Sequence, residues 1–125
     1  MSALQAGMVY HSSYSLKSAI YLDIFCFTIV GPYNKACLTH AVYKLINIHP
    51  LLRTSYLLNE FEEAVQIVHK NVEIPFFEKD LSLLLPSKQA QQIEKWVTIE
   101  KLNPFNYEKA PLFRIMVHIL DKKKF

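Results

Sequence analysis

Residues 34 to 50 admit one regular reading, and it sets the terms for the segments around them. Asn34 stands where a side-chain cap is wanted, Leu38, Ala41, Val42, Leu45 and Ile46 recur at helical spacing, and Pro50 ends the run. Such a helix has an apolar stripe that must be laid on something. Just before it, Ile20 to Val30 is aromatic and β-branched and stops at Gly31-Pro32, the pattern of a strand with a turn behind it.

The rest of the chain continues this alternation. Residues 2 to 13 predict a short helix with Leu4, Met8 and His11 on one face. Leu52 to Leu58 and Ala64 to His69 predict two strands joined by the acidic turn Asn59 to Glu63, a hairpin. Pro75 to Leu85 reads as irregular or a short strand. Ser87 is expected to cap a polar helix carrying Ala90, Ile93, Trp96 and Val97, which Pro104 closes. Leu112 to Leu120 predicts a strong strand, and Asp121 to Lys124 the turn of a hairpin whose second arm is missing. The order β-α-β-β-α-β after the first helix implies an α/β (α+β) domain, a mixed sheet with flanking helices.

Composition narrows the function classes. Half the residues (51%) are hydrophobic, only 20% are charged and mean hydropathy is +0.10, which is more apolar surface than a small domain easily hides and points to a missing partner. Net charge is +3, but the cations are mostly Lys spread along the chain, with Arg only at 53 and 114, so no basic stripe signals nucleic acid. No run approaches the ~18 apolar residues of a membrane span. The first residues have no basic region or continuous apolar core of a secretory signal. Cys26 and Cys37 form no CxxC, so they are expected to be buried, reduced thiols, and the chain cytoplasmic.

Two glycines, Gly7 and Gly31, exclude dinucleotide and phosphate-cradling loops and the GxSxG elbow. No HExxH occurs, and no third ligand accompanies His69 and Glu73 or His118 and Asp121, so no metal site is expected and these histidines read as ordinary strand or surface residues. His11 and His49 are the more interesting pair. Glu62 and Glu63 read as a solvated turn rather than an acid-base pair.

Three segments, in order, carry a resemblance. Ser2-Ala-Leu-Gln-Ala-Gly-Met-Val-Tyr-His-Ser12, Ile48-His-Pro-Leu-Leu-Arg-Thr-Ser-Tyr56 and Asn103-Pro-Phe-Asn-Tyr-Glu-Lys-Ala-Pro-Leu-Phe-Arg114 together resemble motifs of the condensation domains of nonribosomal peptide synthetases. Ile48 departs from the second motif, where Arg is usual.

The resemblance implies the N-terminal half of a chloramphenicol acetyltransferase-like fold. It implies that residues 1–125 are an incomplete condensation domain, ending before the strand that carries the family's His-His-x-x-x-Asp-Gly motif. In that family the domain joins a carrier-bound aminoacyl or peptidyl thioester to an amine. By the same resemblance Arg53 is the structural partner of the motif Asp, and Gln5, Met8, Tyr10, His11, Ser12 and His49 are candidate tunnel or motif residues.

The implied partners are peptidyl carrier protein domains, which bring their own phosphopantetheine arms, and the remainder of the domain. This chain is expected to hold no cofactor. It is also expected to form no peptide bond alone, since the motif that manages the amine proton is not in it. A complete small acyltransferase would need a His-x-x-x-Asp, which does not occur. The alternative is a non-catalytic binding module that docks a carrier protein or a separately encoded second half. An open edge on the 112–120 strand is expected to favour self-association.

Overall fold

The computed structural model describes residues 2–14, 21–57 and 65–125. Among these residues there are three α-helices, α1 (Ala3–Tyr14), α2 (Lys35–Ile48) and α3 (Pro86–Glu100). Four strands accompany them: β1 (Thr54–Leu57), β2 (Val65–Val68), β3 (Phe76–Asp80) and β4 (Ile115–Ile119). The mixed α/β character follows the expectation, and the strands form two ladders. β1 and β2 pair antiparallel, with Thr54 opposite Val68, and β3 and β4 pair parallel, with Phe76 opposite Ile115. A parallel pair requires a crossover, and α3 is that crossover.

Helix α2 forms as its sequence dictates. The Asn34 carboxamide oxygen accepts from the Cys37 amide at 3.0 Å, and the His49 amide closes the other end on the Leu45 carbonyl. Its inward stripe ends on Ile46, which is 2% exposed. Pro50 then does more than stop the helix. Residues Pro50–Arg53 wind into a 3-10 turn, so the strand expected from Leu52 begins at Thr54, whose hydroxyl donates back to the Pro50 carbonyl at 3.0 Å.

Several expectations need correction. Helix α1 turns a different face inward: Val9 is buried with Gln5 and Ser12 beside it, whereas Leu4, Met8 and His11 are exposed. The face is set by hydrogen-bonding partners on β1 and the 104–110 loop, which apolar spacing alone does not reveal. Ser87 is not the cap of α3. Pro86 starts that helix, where its missing N–H costs nothing, and Leu85 precedes it without a side-chain cap. Cys26 and Cys37 are free and exposed, not buried: one lies in the 21–29 segment, where it lines an open cleft, and the other on the first turn of α2.

The long strand expected over 20–30 forms no regular ladder within 21–29. A strand-prone run becomes a strand only where a neighbouring backbone lies in register. Among the described residues that neighbour is short. Ile29 and Phe125 exchange backbone hydrogen bonds at 2.7 and 3.0 Å, and Gly31 donates to Lys123 at 2.7 Å. Lys124 and Phe125 thus begin the second arm that the sequence pattern alone does not show. The turn before them is as expected, with the Asp121 carboxylate accepting from the Lys123 amide. The acidic turn 59–63 lies outside the described residues.

Tyr33 ties the Gly31-Pro32 turn to β3 by donating to the Glu78 carboxylate at 2.8 Å, where Lys35 also pairs at 3.2 Å. Partial burial and that carboxylate push the Tyr33 phenol up to about 12, while the hydrogen bonds from Tyr33 and Lys35 hold Glu78 below the usual carboxylate range.

The buried apolar residues among those described are few: Val9, Ile46, Tyr56, Ile74, Leu81 and Val117. Against them stand Phe25 at 77%, Phe27 at 80%, Val30 at 82% and Leu83 at 99% exposure. Apolar surface of that extent is a drive to associate. The 125-residue chain is therefore expected to self-associate as its concentration rises, and a stable monomer by light scattering at high concentration would contradict this. Replacing Asn34 with Ala should cost about 1 kcal/mol of stability, read from urea unfolding, because it leaves the first turn of α2 uncapped.

Candidate functional site

A cleft of about 860 Å³ opens between α1, β1, the 21–29 segment, the 104–114 loop, α3 and β4. Its walls are mainly apolar, and its polar groups come from particular places. Gln5 and Met8 enter from α1, Tyr56 from β1, and Phe105, Tyr107 and Arg114 from the loop. Trp96 and His118 face it from α3 and β4.

Local sequence explains how these groups are held. Ser2 and Gln5 form a capping box: the Gln5 amide donates to the Ser2 hydroxyl at 3.2 Å, and the Ser2 amide to the Gln5 Oε1 at 2.8 Å. With Oε1 engaged, Gln5 Nε2 points to the Tyr56 hydroxyl at 3.5 Å, a long contact at the limit of a hydrogen bond. Ser12 donates to the Met8 carbonyl at 2.9 Å, and the Tyr107 hydroxyl donates to Ser12 at 3.0 Å. Tyr107 is joined to β1 a second time, since its carbonyl accepts from the Tyr56 amide at 2.8 Å.

At the far end of the loop, Arg114 donates to the buried Glu100 carboxylate and to the Asn103 carbonyl, and its guanidinium lies 4.3 Å over the Phe105 ring. A buried carboxylate needs such a partner, because an unpaired one would be strongly disfavoured.

Arg53 sits at the junction of α2 and the hairpin. Its Nε donates to the Ile46 carbonyl at 3.1 Å and its Nη1 to the His69 carbonyl. His69 in turn meets the buried Ser55 hydroxyl through Nε2 at 2.8 Å, and its amide donates to the Arg53 carbonyl at 2.8 Å. His69, read from sequence as an ordinary strand residue, is thus part of the brace that fixes Arg53.

Of the residues singled out by sequence, the structure brings Gln5 and Met8 to the cleft and uses Ser12 to brace its wall. Tyr10 and His11 lie elsewhere on α1, exposed and edge to face at 5.9 Å. His49 is exposed at the end of α2. Sequence reading missed Tyr107, Trp96, His118 and the Glu100–Arg114 pair. Only the Ser2-x-x-Gln5 cap had a local signal, since the others depend on residues distant in the chain. Among the described residues no group of His, Cys, Asp or Glu is gathered as for a metal ion, and no helix is long and apolar enough to cross a membrane.

The three motif segments thus share one cleft, and comparison with known proteins shows the family of the chain. The profile of the condensation domain matches residues 1–125. The chain belongs to the condensation domain family. It is 28% identical over 123 residues to a linear gramicidin synthase of Brevibacillus parabrevis, and 28% identical over 115 residues to a plipastatin synthase of Bacillus subtilis (strain 168). These matches take in 98% and 92% of this chain but only 2% and 3% of those much longer synthases.

Among solved structures, the first condensation domain of the calcium-dependent antibiotic synthetase superposes with a TM-score of 0.84 at 16% identity, over 99% of this chain and 30% of that one. A four-domain nonribosomal peptide synthetase bound to AMP and glycine gives 0.77 at 20% identity, over 96% of this chain and 9% of that one. The fold is therefore that of the N-terminal part of a condensation domain, chloramphenicol acetyltransferase-like as expected, and the chain spans under a third of the solved domain.

The Arg53 brace leads to a measurable cost. Arg53→Lys keeps the charge but loses the fork that reaches both carbonyls, and should destabilise the chain by about 1.5–3 kcal/mol in denaturant unfolding.

Proposed function

We propose that residues 1–125 serve as the N-terminal part of a condensation domain that joins a carrier-bound aminoacyl or peptidyl thioester to an amine. The observation that supports this best is the convergence of all three motif segments on one cleft, through Gln5 and Met8, Tyr56, and Phe105 with Tyr107. The cleft is apolar with a few polar groups along its walls, which suits a neutral, partly apolar chain such as a carrier's phosphopantetheine arm. That arm belongs to the carrier domains, which together with the rest of the condensation domain are the proposed partners.

In this reading Arg53 awaits a carboxylate. Its Nε and Nη1 are committed to main-chain carbonyls, so the guanidinium is fixed in place and Nη2 remains for the Asp of the histidine motif. No His-His-x-x-x-Asp-Gly occurs in these 125 residues, so the base that handles the amine proton comes from elsewhere. Gln5 and Met8 contact the bound arm, and Ser12 keeps α1 in position. Exposed Tyr10, His11 and His49 belong to surfaces that meet the rest of the domain or a carrier. The free thiols suit a reducing, cytoplasmic setting.

The test is reconstitution. The 125-residue chain, mixed with loaded donor and acceptor carrier domains, should yield no dipeptidyl-carrier. Adding a polypeptide that supplies the remainder of a condensation domain with its histidine motif should start product formation. Product from the chain alone overturns the division of labour proposed here. Tight carrier binding with no activity in either mixture favours a docking module.

A further inference from the structure

His118 on β4 lies edge-on to Trp96 of α3, with ring centroids 5.7 Å apart and planes at 73°. In the parallel ladder it is paired with Lys79 of β3, so the imidazole and the ammonium emerge on the same face, the one that α3 covers. Lys79 is kept there by donating to Gln92 of α3 at 3.1 Å. The helix is thus attached to the sheet at neighbouring points, one of which is a titratable ring in an apolar contact. Trp96 and His118 both face the cleft.

We infer that His118 is a pH-sensitive latch that holds α3 against the β3–β4 ladder along one wall of the cleft, closed while the imidazole is neutral and loosened by its protonation. This inference does not depend on what the cleft binds.

Charge placement carries it. A proton on His118 would add a second positive charge beside Lys79 and take a charged ring into partial burial. The carboxylates of β3, β4, α3 and the facing 21–29 segment do not offset this, Asp23 across the cleft being exposed. Glu78 is engaged with Tyr33 and Lys35, Asp80 accepts from Ser82, Glu94 is exposed, and Glu100 is paired with Arg114. β4 itself carries none. Burial, and then Lys79, hold the His118 imidazole below its ordinary range, as this arrangement requires.

The direction of the pH effect follows. A histidine depressed in the closed state contributes stability that is present above its free value of about 6.5 and is lost as pH falls from there toward the closed-state value. Within that window the open fraction grows by up to about tenfold per pH unit.

Trp96 is the only tryptophan, so its emission reports this contact directly. The experiment follows Trp96 emission and amide exchange of α3, corrected for intrinsic pH dependence, between about pH 8 and pH 4.5 in the 125-residue chain. Expected is a transition with its midpoint below about 6.5, accompanied by faster exchange in α3. His118→Gln should abolish the transition. Lys79→Met, which leaves the imidazole in place, should move the midpoint upward. An unchanged transition in His118→Gln, or a midpoint that does not respond to Lys79→Met, overturns the latch.

Discussion

Four consecutive residues, Arg53 to Tyr56, hold α1, α2, β2 and the 104–110 loop to one another. Arg53 reaches the end of α2 and the end of β2, Thr54 closes the 3-10 turn, Ser55 meets His69, and Tyr56 joins the 104–110 loop by its amide. Thr54, Ser55 and Tyr56 are all buried, so each polar group withdrawn from water there must find a partner inside. That requirement, more than apolar packing, fixes where α1, α2 and the loop come together. The apolar core is too small to do so by itself.

The elements with strong local signals were legible in the sequence. Asn34 and Pro50 delimit α2, the polar run after Ser87 that Pro104 closes places α3 close to where it lies, and Asp121 makes the turn before the last residues. The parts that were not legible depend on chain segments that lie far apart. Leu4, Met8 and His11 have good helical spacing, yet the inward face of α1 is set by Tyr107, which meets Ser12. Residues 21–29 have every strand preference and form no ladder within themselves, because preference cannot supply a neighbour. The cleft is a case of both. Its α1 and β1 contributions lie in segments whose motifs can be recognised, whereas Trp96 and His118 face it only because a parallel pairing brings β4 beside β3.

This part of the fold is built on braces. An open cleft needs them if its walls are not to collapse together. Side chains that are hydrogen-bonded on both sides, as Gln5 and Ser12 are, resist that collapse better than apolar contact alone. Arg114 does the same for the loop, with its charge neutralised by Glu100 and its plane resting on Phe105.

The brace between Tyr107 and Ser12 spans 95 positions, and the contact between Gln5 and Tyr56 spans 51. Contacts so distant along the chain close large loops, whose entropy must be met before the contact returns anything. Helices α2 and α3 can form from local signals early, but the cleft has no local precursor. It comes into being only when α1 and the 104–110 loop have both found β1, so the cleft is a product of the last steps of folding rather than a scaffold for the first.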